Sequence, residues 1–293
     1  MKESAFLPVP VAEAVLRILS DIHYGDRLSR AHTLAQLQPL CEGVDRLILN
    51  GDTLDTRDGP NPAHTARCRA EVADFVARAG VPVTFLTGNH DPDISDQHLL
   101  ELADGEVFVI HGDVLFECIV PWGRDAEPIR RKIRAELAAL PPGAGQRLED
   151  RVAAFRRVAA SLRQRHQAER HSLKYAYRFL TDTVWPPPSA LNMLRAWRDL
   201  PRLAGQLAAE HRPRARFAVV GHTHRPGVWP TAAGVTVINT GSFSPPFGGM
   251  VADLSAGRLT VRRIEARRGA FHPGRTVAEF ALGRVPAAHH HAA

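Results

Sequence analysis

Five short polar motifs punctuate the chain: Asp21-Ile22-His23, Gly51-Asp52-Thr53-Leu54-Asp55, Gly88-Asn89-His90-Asp91, His111-Gly112-Asp113 and Gly221-His222-Thr223-His224. Carboxylate, imidazole and amide side chains are the oxygen and nitrogen donors that hold divalent cations or move protons. Taken singly, each motif has a plain structural account, since Asp and Asn are ordinary turn residues and an isolated histidine commonly belongs to the packing. Taken together they share a placement. Each follows an apolar run (VLRILS, RLILN, VTFLT, EVFVI and RFAVV), so each stands where a strand should end. In open α/β sheets ligands gather beyond the strand ends, and five donor-bearing loops at equivalent positions point to one shared ligand site.

The order DxH, GDxxD, GNHD, a later His and GHxH resembles the calcineurin-like metallophosphoesterase family, in a match that runs from Asp21 to His224 and skips only a helical insert. The resemblance implies an α/β fold, a four-layer sandwich of two mixed β-sheets flanked by helices, with two divalent ions at the strand ends. It implies that one ion is held by Asp21, His23 and His224, the other by Asn89, His111 and His222, and that Asp52 bridges both. Ions held roughly 3.5–4 Å apart can share one carboxylate and one hydroxide; the bridge calls for two oxygens, and Asn89 supplies a neutral carbonyl oxygen. Two divalent ions offset by Asp21 and Asp52 leave about +2 before hydroxide binds, which favours an anionic substrate. In the chemistry so implied, a metal-bridging hydroxide attacks phosphorus in line while the metals absorb charge on the phosphoryl oxygens.

His90, beside Asn89, matches the position of the family's protonated general acid for the departing oxygen. Asp91 is expected to orient His90, and Asp55 to support the loop that holds Asp52. Donors without thiolate suit manganese, iron, zinc or cobalt, with manganese the expected metal. Gly51, Gly88, Gly112 and Gly221 allow turns or close backbone approach beside the ligands. Arg57 and His64 follow Asp52 in the stretch GDTLDTRDGPNPAH and, with Arg225 directly after His224, are candidate substrate contacts. His32, His98, His166, His171 and His211 fall outside the motifs and are assigned no catalytic role.

The elements that must position these residues are legible as a pattern. Val15–Leu19, Ala31–Leu40, Asp45–Asn50, Ala63–Ala79 and Val81–Leu86 read as βαβαβ, hence a parallel sheet with right-handed crossovers. A strand at Glu106–Ile110 follows Asp96–Leu102, with Val114–Cys118 close behind as a further short run. Strands return at Phe217–Val220, Val235–Ile238, Gly249–Val251 and Leu259–Ile264, expected to form a second, more antiparallel sheet. The expected divisions are a catalytic core over 14–121 and 215–266, a helical cap insert over 122–214, and a poorly ordered tail over 267–293 that ends His289-His290-His291.

Within the insert, apolar residues recur at helical spacing: Ile129, Ile133, Leu137, Leu140; Val152, Phe155, Ala159, Leu162; and Leu173, Tyr177, Leu180, Val184. Pro141-Pro142 and Pro186-Pro187-Pro188 punctuate it. Its ends lie beside His111 and His222, which predicts a cap over the pocket. Residues 122–216 carry 20 Arg+Lys against 9 Asp+Glu, while the remainder carries 17 against 22. That asymmetry fits a basic attachment aimed at something anionic, or solvated helix faces in a chain where 34 of 37 basic residues are Arg. Arg130, Arg131, Lys132 and Arg134, and then Arg156, Arg157, Arg163 and Arg165, are spaced to grip phosphate. Tyr175, Tyr177, Phe179, Trp185, Leu194 and Trp197 either line an acyl groove or form the insert's own core, the latter being what amphipathic helices require.

An insert at this place, with SDIHYGD, GHTHRP and NTGSF, also resembles the bacterial UDP-2,3-diacylglucosamine diphosphatase branch of the family, in which a helical lid holds acyl chains above the metals. The chain departs from that branch at His90, where its best-known enzymes carry Arg. Three cysteines without a CxxC pair fit a reducing compartment. The opening residues lack secretory character and no run reaches the roughly 18 apolar residues of a membrane span, so a cytoplasmic place is expected, with peripheral contact to the inner membrane face as an option. The expected function is a dinuclear-metal hydrolase of phosphoester or pyrophosphate bonds, acting on a phosphorylated small-molecule or lipid-linked substrate such as a diphosphate-linked nucleotide or glycolipid. The alternatives are a phosphodiesterase or nuclease that contacts nucleic acid, for which no stacking or duplex-reading module is evident, a protein phosphatase, and a non-catalytic scaffold that binds protein.

Overall fold

The computed structural model describes residues 14–165, 171–181 and 187–283. Val184, Trp185, His166 and the terminal histidines lie outside them, as does the side chain of Phe179. Strand β1 (Leu16–Leu19) pairs in parallel with β2 (Arg46–Asn50), and β2 in parallel with β3 (Val83–Leu86), with α1 (Pro62–Arg78) as the β2–β3 crossover. Between β1 and β2 the expected helix is a 3-10 turn at Leu34–Leu40, opened by a Thr33/Gln36 capping box and carrying Pro39. Proline has no N–H to donate into an α-helical ladder, which favours the shorter form. In the second sheet β4 (Leu99–Leu102), β5 (Val107–Ile110), β6 (Phe217–Val220), β8 (Thr236–Asn239) and β7 (Gly227–Pro230) lie in that order. The β5–β6 and β6–β8 pairs are parallel and the outer pairs antiparallel. Val114–Cys118 adds no strand; Gly112, at φ 111°, turns the chain into a 3-10 turn over Asp113–Leu115.

The strands after the insert do not make a sheet of their own. β9 (Met250–Ser255) pairs antiparallel with β1, and β10 (Arg258–Arg267) with β9, so they extend the first sheet to β11-β10-β9-β1-β2-β3. The segment expected as a tail contributes β11 (Ala270–Ala281), which pairs with β10 along its length. Arg268 and Gly269, at φ 50° and 79°, form the two-residue turn of this hairpin, whose sign of twist requires positive φ at both positions. Phe271 packs on Phe243, and Phe280 on Phe217, each with ring centroids 5.0 Å apart. Two aromatic anchors, Phe271 buried and Phe280 partly so, and a ladder to β10 that shifts register only around Arg262 explain why this segment is a strand.

Four layers follow from alternation. In β2, Ile48 faces the space between the sheets, while Leu47 and Leu49 face α1 and the 3-10 turn. In β5, Val107 and Val109 face the first sheet, while Phe108 and Ile110 face outward. That outer face is covered by the insert: α2 (Ala126–Ala138) contributes Ile129 and Ile133, α3 (Leu148–Ala160) Val152 and Phe155, and α5 (Pro187–His211) Leu200, Ala204 and Leu207. Most of the segment expected as a cap is therefore the fourth layer of the sandwich. α4 (Ser172–Phe179) differs, because its expected apolar stripe is exposed at Leu173 and Tyr177, with Leu180 beyond its end exposed too, and among its described side chains only Tyr175 is buried. Among the described residues no helix is long and apolar enough to cross a membrane.

Candidate metal centre

All five donor loops leave the same end of the two sheets, because β1, β2 and β3 run parallel in one sheet and β5 and β6 run parallel in the other. Backbone hydrogen bonds stitch them together: Asp21 N–H donates to Gly51 O at 3.1 Å, His23 N–H to Asp52 O at 2.9 Å, and Gly221 N–H to His111 O at 2.8 Å. Asp21, His23, Asp52, His222 and His224 have φ of 53°, 49°, 53°, 69° and 58°. Left-handed backbone at non-glycine residues costs roughly 1–2 kcal/mol each and persists only where the surroundings over-determine it. Gly88 and Gly221 are present for space, since a Cβ at either position would overlap the Asp52 or the Asp21 carboxylate.

Among the described residues the donors converge as two triads, Asp21–His23–His224 and Asp52–His111–His222, joined by a third group, His23–Asp52–His90; within each group the candidate ligand atoms lie within 4.8 Å of one another. His23 belongs to both neighbourhoods, with Nε2 3.8 Å from Asp21 Oδ1, 3.8 Å from Asp52 Oδ2 and 2.9 Å from His224 Nε2. His111 Nε2 lies 3.3 Å from Asp52 Oδ2 and 3.3 Å from Asn89 Oδ1. Asp52 thus stands between the triads, with one difference from the expected bridge. A single oxygen, Oδ2, faces both His23 and His111, while Oδ1 accepts the His90 backbone N–H at 2.8 Å.

Two rings are anchored from behind. His111 Nδ1 donates to Asn50 O at 3.0 Å and His222 Nε2 to Ile119 O at 2.8 Å, which leaves the lone pairs of His111 Nε2 and His222 Nδ1 free for a cation. The electrostatics fit the same use. Burial lowers the pKa of His23, but the hydrogen bond to Asp21 and the charges of Asp52 and Asp21 raise it to about 9. Burial also opposes His111, which Asp52's charge and hydrogen bond raise to about 10. Asp52 is desolvated yet held well below the usual carboxylate range by His111 and His90. Burial and the nearby His111 lower His222 to about 4. Buried carboxylates here are compensated by protons on imidazoles, so the donor set fits divalent cations that would take the protons' place.

Asp91 and Asp55 occupy each other's expected roles. Asp91 does not orient His90; its carboxylate accepts backbone N–H groups from Gly88 at 2.8 Å, Asp52 at 2.9 Å and Thr53 at 2.7 Å, fastening the Asn89 loop to the Asp52 loop. Burial and then the Asp52 charge raise it to about 7. Asp55 Oδ2 lies 2.9 Å from His90 Nδ1, and Arg57, forked onto Asp55, places Nη2 2.8 Å from the same nitrogen. The spacing GDxxD carries no information about which carboxylate turns toward His90, and only the loop geometry decides it. His64 donates Nε2–H to Gly25 O at 3.0 Å and borders a small cavity with His23, Asp55 and Gln164. Arg225 lies over the Trp229 ring and donates to Trp197 O at 3.3 Å.

Sequence reasoning quoted NTGSF only for the branch resemblance and gave no role to Asn239, which donates to Gly221 O at 2.8 Å and Thr223 Oγ1 at 3.1 Å, or to Ser242, which donates to Asp21 O at 3.0 Å. A run of small polar residues straight after a strand, NTGS, was the available signal. The expected phosphate-gripping arginines are largely committed elsewhere: Arg130 to Glu117 and Glu127, Arg157 to Glu136, Arg165 to Asp125, and buried Arg156 to Asp113.

A model of the calcineurin-like phosphoesterase family matches residues 15–226. Solved structures similar to this chain include a dimetal phosphatase from Danio rerio (14% identity, 86% of this chain and 96% of that one, TM-score 0.44). A predicted phosphoesterase from Streptococcus pneumoniae matches at 15% identity, over 92% of this chain and 98% of that one, with TM-score 0.38. Vps29 from Chaetomium thermophilum matches at 9%, over 94% and 99%, with TM-score 0.42. No curated protein matches the sequence.

Proposed function

Because the chain belongs to the calcineurin-like phosphoesterase family over residues 15–226, we propose that it hydrolyses phosphoester or phosphoanhydride bonds at a centre of two divalent ions. The observation that carries this is the placement of Asp52 Oδ2 within reach of both triads. Asp21, His23 and His224 would hold one ion, and Asn89, His111 and His222 the other, with Asp52 common to both. Bound there, such ions supply Lewis acidity toward phosphoryl oxygens and an activated water at neutral pH. Manganese is the proposed metal, with iron, zinc and cobalt compatible with the same donors.

The chain's own residues supply the rest. His90, with its ring edge against His23, protonates the departing oxygen. Asp55 and Arg57 fix its Nδ1, so the ring presents Nε2 to the substrate side. His224, with a third of its side chain exposed, marks the open side, and Arg57, His64 and Arg225 are the proposed substrate contacts. The substrate we propose is a phosphorylated small molecule, a diphosphate-linked nucleotide or glycolipid. Three buried free cysteines support a reducing compartment. Turnover of bis(p-nitrophenyl) phosphate with added manganese, lost on Asp52→Asn, is the expected result. Absence of turnover with manganese, iron, zinc and cobalt would instead favour a scaffold that binds protein.

A further inference from the structure

We infer that the segment between His111 and Gly221 holds the donor loops in their metal-binding geometry, with Gln164, Tyr175 and Trp197 as positioning residues. The inference rests on the metal-centre reading above. Trp197, in α5, donates Nε1–H to the Thr223 carbonyl at 2.8 Å. Thr223 lies between His222 and His224, both at positive φ, so the orientation of that peptide decides where both rings point. Gln164, just beyond α3, donates Nε2–H to Asp55 O at 2.9 Å and Thr65 Oγ1 at 3.1 Å, and its N–H to Asp58 O at 2.8 Å. This pins the loop that runs from Asp52 to Arg57. Gly59 makes room for the contact, since a Cβ there would overlap the Gln164 side chain. The Tyr175 hydroxyl, from α4, donates to Asp26 Oδ1 at 3.1 Å, an oxygen that also accepts Leu28 N–H at 2.8 Å and closes the turn after His23. Buried Arg156 in α3 is ion-paired with Asp113, two residues after His111.

Four donor loops therefore each have a tie to the segment; among the described residues only the Gly88–Asp91 loop has none, and Asp52 and Asp55 hold it instead. Where the segment meets a ligand ring directly, Ile119 O accepts from His222 Nε2 and leaves Nδ1 toward the cation site; none of the four ties touches a candidate donor atom. Their effect on metal binding must pass through loop geometry, which five strained residues leave dependent on outside restraint.

The test is calorimetric titration of MnCl2 into the full chain as wild type, Trp197→Phe, Gln164→Ala and Tyr175→Phe, beside Leu191→Ala, whose side chain is exposed on α5. The three positioning variants are expected to bind manganese about 10-fold or more weakly, Leu191→Ala as wild type. Excess manganese should restore their turnover of bis(p-nitrophenyl) phosphate, which damage to the chemistry would not allow. Variants that bind manganese as tightly as wild type while melting at lower temperature would overturn the inference, leaving the contacts purely structural. Tyr175→Phe removes one hydroxyl and keeps the test decisive if Trp197→Phe does not fold. Wild-type protein that takes up none of the four metals would overturn the metal-centre reading itself.

Discussion

His90 Nδ1 lies within hydrogen-bonding distance of both Asp55 Oδ2 and Arg57 Nη2 and makes one bond at a time: it donates to the carboxylate when it carries a proton and accepts from the guanidinium when it does not. Burial and then the Arg57 charge lower its pKa, so Asp55 and Arg57 set both its angle and its proton. His90→Ala should lower kcat by about 10²–10⁴ for an alkyl phosphate ester, and much less for p-nitrophenyl esters, whose leaving group needs little protonation; steady-state rates on the two substrates check it. Asp91→Asn puts an amide donor against backbone N–H groups and should cost about 1–3 kcal/mol in urea unfolding. pH enters through His23 and His111, raised from 6.5 to about 9 and about 10. In metal-free protein their contribution to stability is fully present below pH 6.5 and is lost as pH climbs through 9 to 10. Manganese must displace those protons, so its apparent affinity should fall with each pH unit below about 9, by up to roughly tenfold per proton. Titration at several pH values, in buffers of different ionisation enthalpy, reads both the affinity and the protons released.

Elements place these residues through strand direction: parallel neighbours end at one edge, so their following loops meet. The apolar runs before each motif made those strands legible, with β1, β2, β3, β5 and β6 near their expected positions. β11 was not legible, because its stretch FHPGRTVAEF holds Pro273 and Gly274 and alternates poorly; pairing with β10 and the two phenylalanine anchors override that weak local preference. Phe271→Ala should cost about 3–5 kcal/mol and disturb Phe243, whose N–H donates to Asp21 O at 3.1 Å. Removal of residues 268–293, harmless for a true tail, should abolish the cooperative thermal transition of the intact chain.

At the scale of the whole molecule, the candidate metal centre draws its donors from loops that span Asp21 to His224, so metal binding there would be linked to folding. Manganese at 100 times its dissociation constant should stabilise the fold by about 2.7 kcal/mol, and a chelator should remove that gain, seen as a reversible shift in Tm. Residue types and strand-end placement made five donor-bearing loops and the strands before them readable in advance, because these are carried by local pattern, apolar runs that must bury and polar residues directly after them, while the four-layer sandwich and the division of donors between two ions were implied by the family resemblance. Which oxygen of Asp52 stands between the triads, which carboxylate turns to His90, and whether residues 122–214 cap the pocket or cover a sheet all depend on contacts between segments far apart in the chain. Those contacts are decided by packing, which brings Trp197 to Thr223 and Gln164 to Asp55, and no window of adjacent residues contains that information.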